Sequence, residues 1–169
     1  EFARATAFEN LWVMPSHPSL EELGAKLESR YKIYKLKEAL AELKGFDSIW
    51  IDTPPAFNFH TRSALIASDR CLIPYDCDSF SRQAIYSLLD NVEEIRADHN
   101  RSLSVEGIVV NQYLARSNLP RRVVAELVAE GLPVLENYLS PSIKVKESHE
   151  ACMPLVHMLP KHKVTLEYQ

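Results

Sequence analysis

Residues 46–55 read FDSIWIDTPP, an apolar run that ends on an acidic residue and two prolines. The apolar side chains Ile49–Ile51 predict a strand over Ser48–Asp52 that is buried on both faces, because strands of parallel sheets are continuously apolar. Asp52 then stands at the carboxyl end of this strand, where α/β nucleotide-binding sheets place the acid that serves magnesium. The two prolines favour a rigid, extended exit from the strand. The simpler alternative is that Asp52 only caps the turn that follows.

The composition is that of a single folded domain with its own core. The chain has 169 residues, of which 46% are hydrophobic, and it shows no bias typical of disordered, collagen-like or disulfide-rich proteins. The formal net charge of -4 excludes a generally basic surface, so contact with nucleic acid requires a local basic patch. We therefore expect one domain over residues 1–169.

Cysteine usage and the length of the apolar runs predict the cellular location. Cys71, Cys77 and Cys152 are odd in number, widely spaced and never in a CxxC pattern, which favours a reducing compartment and disfavours a zinc site. No apolar run approaches membrane-spanning length, and the first residues lack the basic-then-apolar pattern of a signal peptide. The sequence predicts a cytoplasmic protein without a membrane partner.

Apolar strand-like runs alternate with helical patterns along the chain, which is typical of βαβ units and a mainly parallel sheet. Beside Ser48–Asp52, the strand-like runs are Asn10–Met14, Cys71–Tyr75, Leu103–Asn111, Val134–Tyr138 and Leu155–Leu159. The expected helices run from a Ser19/Glu22 capping box to Arg30, from Ile33 to a stop at Gly45, over Thr61–Ala67, from a cap at Ser79 or Ser81 past Ile95, from Ser117 to Gly131, and over Ile143–Ala151. We expect no internal repeat and no domain boundary.

Three quoted segments carry a resemblance to a known family. FDSIWIDTPP, CLIPYDCDSFSRQAIYSLLD and GIVVNQYLARSNLPRRVVAELVAEGLPVLE follow one another in this order. With them, the chain resembles the ParA/Soj group of deviant-Walker-A partition ATPases, relatives of MinD, from about Asn10 to Tyr168. The resemblance implies an α/β fold of the three-layer, P-loop NTPase-like (Rossmann-like) type, with a mainly parallel sheet flanked by helices.

The phosphate-binding part of that family is not found in this sequence. In the family, a preceding strand and a glycine-rich loop with two lysines bind the triphosphate. Here the only glycines are Gly24, Gly45, Gly107 and Gly131, and no Gly-Lys pair occurs. Glu1 is not an initiator methionine, and His162–Gln169 resembles the beginning of a helix. We therefore expect a partial domain that lacks its first strands and its N-terminal Walker A region, and that is inactive as an ATPase by itself.

The resemblance also implies a function for the intact protein. It implies ATP-dependent dimerisation, DNA binding without sequence preference, and slow ATP hydrolysis that a ParB-like centromere-binding partner stimulates during plasmid or chromosome partitioning. The implied cofactors are ATP and Mg²⁺, and the implied location is the cytoplasm, in association with the nucleoid. Two alternatives stay open. One is a nucleotide-independent interaction module, or pseudo-ATPase, of the same fold; the other is a MinD-like membrane-cycling ATPase, which requires a basic amphipathic helix beyond Gln169.

Position by position, the resemblance assigns a nucleotide site. Asp52 matches the Walker B acid, with a catalytic role on the water and magnesium side and a metal role through water. The resemblance implies that the adjacent Thr53, Pro54 and Pro55 shape the switch that senses the γ-phosphate. It places Asn111 at the adenine, whose paired edge suits a side-chain amide, and Ser140 and Pro141 in the loop against the base. The alternative for Asn111 is a turn or strand cap.

Basic residues in two later segments are the implied DNA contacts. They are Arg116, Arg121, Arg122, Lys144 and Lys146. In the family, basic residues of these regions contact DNA phosphates without reading the sequence. The alternative is an ordinary charged helix face, which Glu126 and Glu130 partly neutralise.

Overall fold

A computed structural model describes residues 3–77 and 82–169, apart from the side chains of Glu21 and Arg82. The chain divides into two compact units, Glu1–Ala67 and Ser68–Gln169. Each unit has its own secondary structure and its own buried residues, and each is described in turn.

The first unit consists of a short hairpin and three helices. Strands β1 (Arg4–Ala5) and β2 (Trp12–Val13) pair antiparallel. They are followed by helices α1 (Ser19–Ser29), α2 (Lys35–Ala41) and α3 (Phe59–Ala67). Both α1 and α2 contact α3, which supplies the buried side chains of the unit: Phe59, Thr61, Ser63, Ala64 and Ile66.

The ends of these helices differ from the sequence prediction. The expected capping box is wrong, because α1 has Pro18 at its N-cap and the Ser19 hydroxyl pairs with His17 Nδ1 at 2.8 Å instead. Helix α2 ends at Ala41, before the predicted stop at Gly45. Helix α3 begins at Phe59, two residues early, because Asn58 Oδ1 accepts hydrogen bonds from the backbone N–H groups of His60 and Thr61.

The predicted buried strand over Ser48–Asp52 is wrong. This segment has no regular secondary structure, and Ile49 and Trp50 are 48% and 80% exposed. A strand depends on hydrogen bonds from a neighbouring segment, and no residue in the described part of the chain pairs with this one. An apolar run without a pairing partner stays an extended loop.

The second unit is built around a parallel strand pair. Strands β3 (Arg70–Asp76) and β4 (Ser104–Asn111) are joined by helix α4 (Arg82–Asp98), the right kind of connection for parallel strands. Helices α5 (Asn118–Ala129), α6 (Ile143–Glu150), α7 (Leu155–Met158) and α8 (Lys163–Glu167) follow. The buried cluster of this unit is Ile73, Tyr75, Cys77, Ile85, Ile108, Val110, Val124 and Leu127.

A third segment runs beside β4 without forming a full strand. The Ile108 N–H donates to Pro133 O at 2.7 Å and Ile108 O accepts from the Leu135 N–H at 3.0 Å, which forms a parallel bridge between Ile108 and Val134. Gly107 allows this approach, because a Cβ at this position would lie 2.4 Å from Leu135 Cδ2. The apolar run Val134–Tyr138 therefore contributes one bridge rather than a strand.

The other predictions for the second unit have mixed outcomes. The strands at Cys71–Tyr75 and Leu103–Asn111 and the helix near Ile143–Ala151 are confirmed with small shifts of their ends. The apolar run Leu155–Leu159 contains helix α7 instead of a strand. The two serines proposed to cap α4 lie outside the described residues.

Gly131 ends α5 as predicted. It has a φ of +77°, its N–H donates to Val128 O, and the Leu132 N–H donates to Leu127 O. This is the hydrogen-bond pattern of a helix that ends on a left-handed glycine.

Candidate functional site

The carboxyl ends of β3 and β4 form one edge of the second unit. Asp76 and Asn111 are opposite each other in the register, and the Cys77 N–H donates to Asn111 O at 3.5 Å. Ligands of open α/β sheets bind outside this edge. Asn111 is half-buried, and its side-chain amide has no hydrogen-bond partner among residues 3–77 and 82–169. It is therefore the best-placed polar side chain of this edge for a ligand.

The loop at residues 139–141 lies beside the end of β4. The Leu139 N–H donates to Val110 O at 2.8 Å, and the Tyr113 N–H donates to Leu139 O at 2.9 Å. The rings of Tyr113 and Tyr138 contact each other with centroids 4.6 Å apart and pack against the buried cluster. The structure thus brings the segments of Asn111 and Ser140 together, although they are distant in sequence. Pro141 follows on the exposed side of the loop.

Ser140 is held by helix α8. Its N–H donates to Glu167 Oε2 at 2.8 Å and its hydroxyl donates to Glu167 Oε1 at 2.7 Å. Lys163 Nζ lies 2.8 Å from the Ser140 hydroxyl and 3.3 Å from Glu167 Oε1. Burial raises the pKa of Glu167, but the hydrogen bonds from Ser140 and the charge of Lys163 outweigh it and hold the pKa below its ordinary value.

Sequence reasoning missed Glu167 and Lys163. The only sequence signal was their spacing of four residues on a helix, which predicts an ion pair between them but no contact with Ser140.

Asp52 and its neighbours lie in the first unit. Asp52, Thr53, Pro54 and Pro55 are exposed and have no regular secondary structure. The Asp52 carboxylate has no hydrogen bond or ion pair within the described residues. The segment after it is tied to α3, because the Thr61 hydroxyl donates to Ala56 O at 2.7 Å and lies 3.5 Å from Pro54 O.

The predicted DNA-contact residues lie on two helices and a turn of the second unit. Arg116 is in the turn before α5, and Arg121 and Arg122 are near the amino end of that helix, all three exposed. Arg122 Nε lies 3.8 Å from Glu126 Oε1, so the predicted partial neutralisation holds for this arginine. In the described part of the chain, Arg116 and Arg121 have no acidic partner.

The two lysines of this set lie on α6. Lys144 Nζ pairs with Glu147 Oε2 at 2.6 Å, whereas Lys146 is exposed and has no acidic partner among the described side chains. The positive charge that remains available is therefore that of Arg116, Arg121 and Lys146.

Two negative findings apply to the described residues. They contain no group of three or more His, Cys, Asp or Glu side chains that could hold a metal ion by themselves. They also contain no helix whose length and apolar character would let it cross a bilayer.

Comparison with known proteins gives one family and a consistent fold. A family model described as an AAA domain matches residues 1–105. The sporulation initiation inhibitor protein Soj of Bacillus subtilis is 34% identical over 131 residues, which cover 75% of this chain and 51% of Soj. The chain spans about half the length of the curated relatives it matches.

Two solved structures show the same fold. Cobyrinic acid a,c-diamide synthase from Mycobacterium smegmatis, with bound ADP and magnesium, is 26% identical at a TM-score of 0.77, over 96% of this chain and 69% of that one. An ATP complex of McdA from Cyanothece is 21% identical at a TM-score of 0.84, over 99% of this chain and 67% of that one. These likenesses confirm the predicted α/β fold of the P-loop NTPase type.

Proposed function

Because the chain belongs to the ParA/Soj-like family of partition ATPases, we propose that the protein acts in plasmid or chromosome partitioning. In this proposal it dimerises when it binds ATP, binds DNA without sequence preference and hydrolyses ATP slowly until a ParB-like partner stimulates it. We place it in the cytoplasm, in association with the nucleoid, and we treat residues 1–169 as part of one ParA-like domain. The match to Soj over three quarters of the chain carries the proposal.

The geometry of the second unit supports binding of the adenine base. Asn111 presents both a donor and an acceptor, and these groups have no partner among the described residues, which suits the donor–acceptor edge of adenine. The loop of Ser140 and Pro141 is hydrogen-bonded alongside the end of β4 and provides the wall of this site. The residues present therefore fit the base, whereas no glycine-rich loop in this sequence fits the triphosphate.

The candidate residue for magnesium binding, Asp52, lies in the first unit. Asp52 has an exposed carboxylate without a partner among the described residues, which leaves it available to order the water shell of Mg²⁺. In enzymes of this class, bound magnesium neutralises charge that develops on the phosphates. Thr53, Pro54 and Pro55, which precede the Ala56 carbonyl that accepts from Thr61 of α3, are the proposed γ-phosphate switch.

The arginines around the start of α5 support contact with DNA phosphates. Arg116 and Arg121 are exposed and have no acidic partner in the described ranges, and Arg122, Lys144 and Lys146 are the further candidates. A local patch of this size is sufficient for an acidic protein, because each neutralised phosphate adds affinity through counterion release.

Titration of the native-length protein with ATP and Mg²⁺, followed by a DNA-binding assay with two unrelated duplexes, tests the proposal. We expect ATP-dependent DNA binding from a form of the protein that includes a phosphate loop, with equal affinity for both duplexes. A strong preference for one duplex, or DNA binding that ATP does not change, would contradict it.

The second candidate function is a nucleotide-independent interaction module of the same fold. It predicts that the protein in its native length binds neither ATP nor ADP while it still folds. A nucleotide titration of the native-length protein therefore separates the two candidates.

A further inference from the structure

Helix α8 and the loop at residues 139–141 are joined by a two-point contact that the proposed function does not use. Both oxygens of the Glu167 carboxylate are occupied, one by the Ser140 N–H at 2.8 Å and the other by the Ser140 hydroxyl at 2.7 Å. The side chain of Glu167 is only 18% exposed, whereas that of Lys163 is 73% exposed. The carboxylate side of the contact is therefore partly shielded from water.

The contact continues through the loop to β4. Leu139, which precedes Ser140, donates its N–H to Val110 O and accepts the Tyr113 N–H on its own carbonyl. Asn111 lies between these two partners. A contact that fixes the position of Ser140 therefore also restrains the backbone on either side of Asn111.

We propose that Glu167 is a positioning residue that keeps the loop of Ser140 beside Asn111, and that binding of the nucleotide base weakens when this hold is lost. The inference rests on the proposed nucleotide site. It goes beyond that site because Glu167 contacts Ser140 rather than the base. Glu167 also lies on α8, outside the loop and the strand that form the proposed site.

The charge of the carboxylate strengthens the contact. Two donors of one residue approach two acceptor oxygens, and hydrogen bonds to an ionised acceptor are about twice as strong as neutral ones. A glutamine has one acceptor oxygen for the Ser140 N–H and an NH₂ group that can donate to the Ser140 hydroxyl, but it carries no charge. Glu167→Gln therefore replaces the two charge-assisted bonds by weaker neutral ones while it preserves the volume of the side chain.

The test combines amide hydrogen exchange with an ATP titration in the presence of Mg²⁺, both on the native-length protein. For Glu167→Gln we expect the amides of Ser140, Leu139 and Tyr113 to exchange about tenfold faster, since the hydrogen bonds from Ser140 lose the charge of their acceptor. The amides of Ile73 and Ile108 in the strand pair should keep their rates. Affinity for ATP should fall by up to about tenfold. Glu150→Gln, at an exposed glutamate of α6, is the matched control and should change neither measurement.

The outcomes separate this inference from the proposed function. Unchanged exchange at Ser140 overturns the positioning role, and so does equal acceleration at Ile73 and Ile108, which would mean that Glu167 only stabilises the unit as a whole. Faster loop exchange with unchanged ATP affinity also overturns it. A wild-type protein that binds no ATP counts against the proposed function, while the exchange rates at Ser140 and Tyr113 still decide whether Glu167 holds the loop.

Discussion

At the scale of single residues, Glu167 combines burial with ionisation. Burial disfavours its charged form, yet the two hydrogen bonds from Ser140 and the nearby Lys163 ammonium favour it more, so the pKa lies below that of a free glutamate. A carboxyl whose pKa is lower in the folded state stabilises the fold above its unfolded pKa. That stabilisation is lost as the pH falls through the folded pKa.

Because folding lowers the pKa of Glu167, the effect of Glu167→Gln on stability should depend on pH. At pH 7 the variant should unfold with a free energy about 1–2 kcal/mol lower than that of the wild type. The difference should shrink below about pH 4.3, near the pKa of an unfolded glutamate, because the wild-type carboxyl then becomes protonated. Urea unfolding at pH 7 and pH 3 measures both values. A difference that grows on acidification would show that the carboxylate does not stabilise the fold.

The prediction for ATP hydrolysis concerns Asp52. In a form of the protein that hydrolyses ATP, Asp52→Ala should abolish magnesium-dependent turnover without changing the thermal unfolding midpoint, because the carboxylate is exposed and has no partner among the described residues. Steady-state phosphate release and a thermal melt are the measurements. Asp47→Ala, at an exposed aspartate in the same segment, is the control and should keep its activity. If Asp52→Ala hydrolyses ATP at the wild-type rate, the Walker B assignment is wrong.

At the scale of elements, the amino end of α5 carries the prediction for DNA. Arg116→Ala combined with Arg121→Ala should weaken binding equally for unrelated duplexes and should lower the slope of log affinity against log salt by roughly 0.9 for each lost phosphate contact. Titrations at several salt concentrations measure the slope. Arg96→Ala is a suitable control, because Arg96 lies on α4 and pairs with Glu93 at 3.0 Å. A loss confined to one DNA sequence would argue against phosphate contacts.

Some helices and strands were predictable from the sequence pattern and others were not. Strands β3 and β4 and helices α4 and α5 were predictable, because their apolar periodicity and the stop at Gly131 depend on residues close together in the chain. The start of α3 was missed by two residues, since the Asn58 cap is a side-chain geometry that spacing alone does not reveal. The run Val134–Tyr138 failed as a strand because only its beginning approaches Ile108.

At the scale of the whole molecule, the buried side chains are unevenly distributed. In the first unit they belong mostly to α3, whereas the second unit has a cluster contributed by two strands and two helices. The segment from Glu42 to Ala56 is exposed, apart from Ile51, and has no helix or strand. Segments of this kind open locally at low free energy and are preferred sites of proteolysis.

Limited proteolysis and hydrogen exchange test this distribution. We expect the first cleavages between Glu42 and Ala56, and we expect the amides of β3 and β4 to exchange at least tenfold more slowly than those of α2, which has no buried residue. Peptide mapping by mass spectrometry reports both. Early cleavage within β4, with residues 42–56 intact, would be inconsistent with the described structure.

The fold type, helices α4, α5 and α6 and the family were within reach of the sequence, because they depend on local periodicity and on motifs that survive as short runs of residues. Only the tertiary structure revealed that Ser140 lies beside Asn111 and that Glu167 hydrogen-bonds to Ser140. These are contacts between segments far apart in the chain. The same reason explains Ser48–Asp52. An apolar run becomes a strand only where another segment supplies its hydrogen bonds, and the run itself does not contain that information.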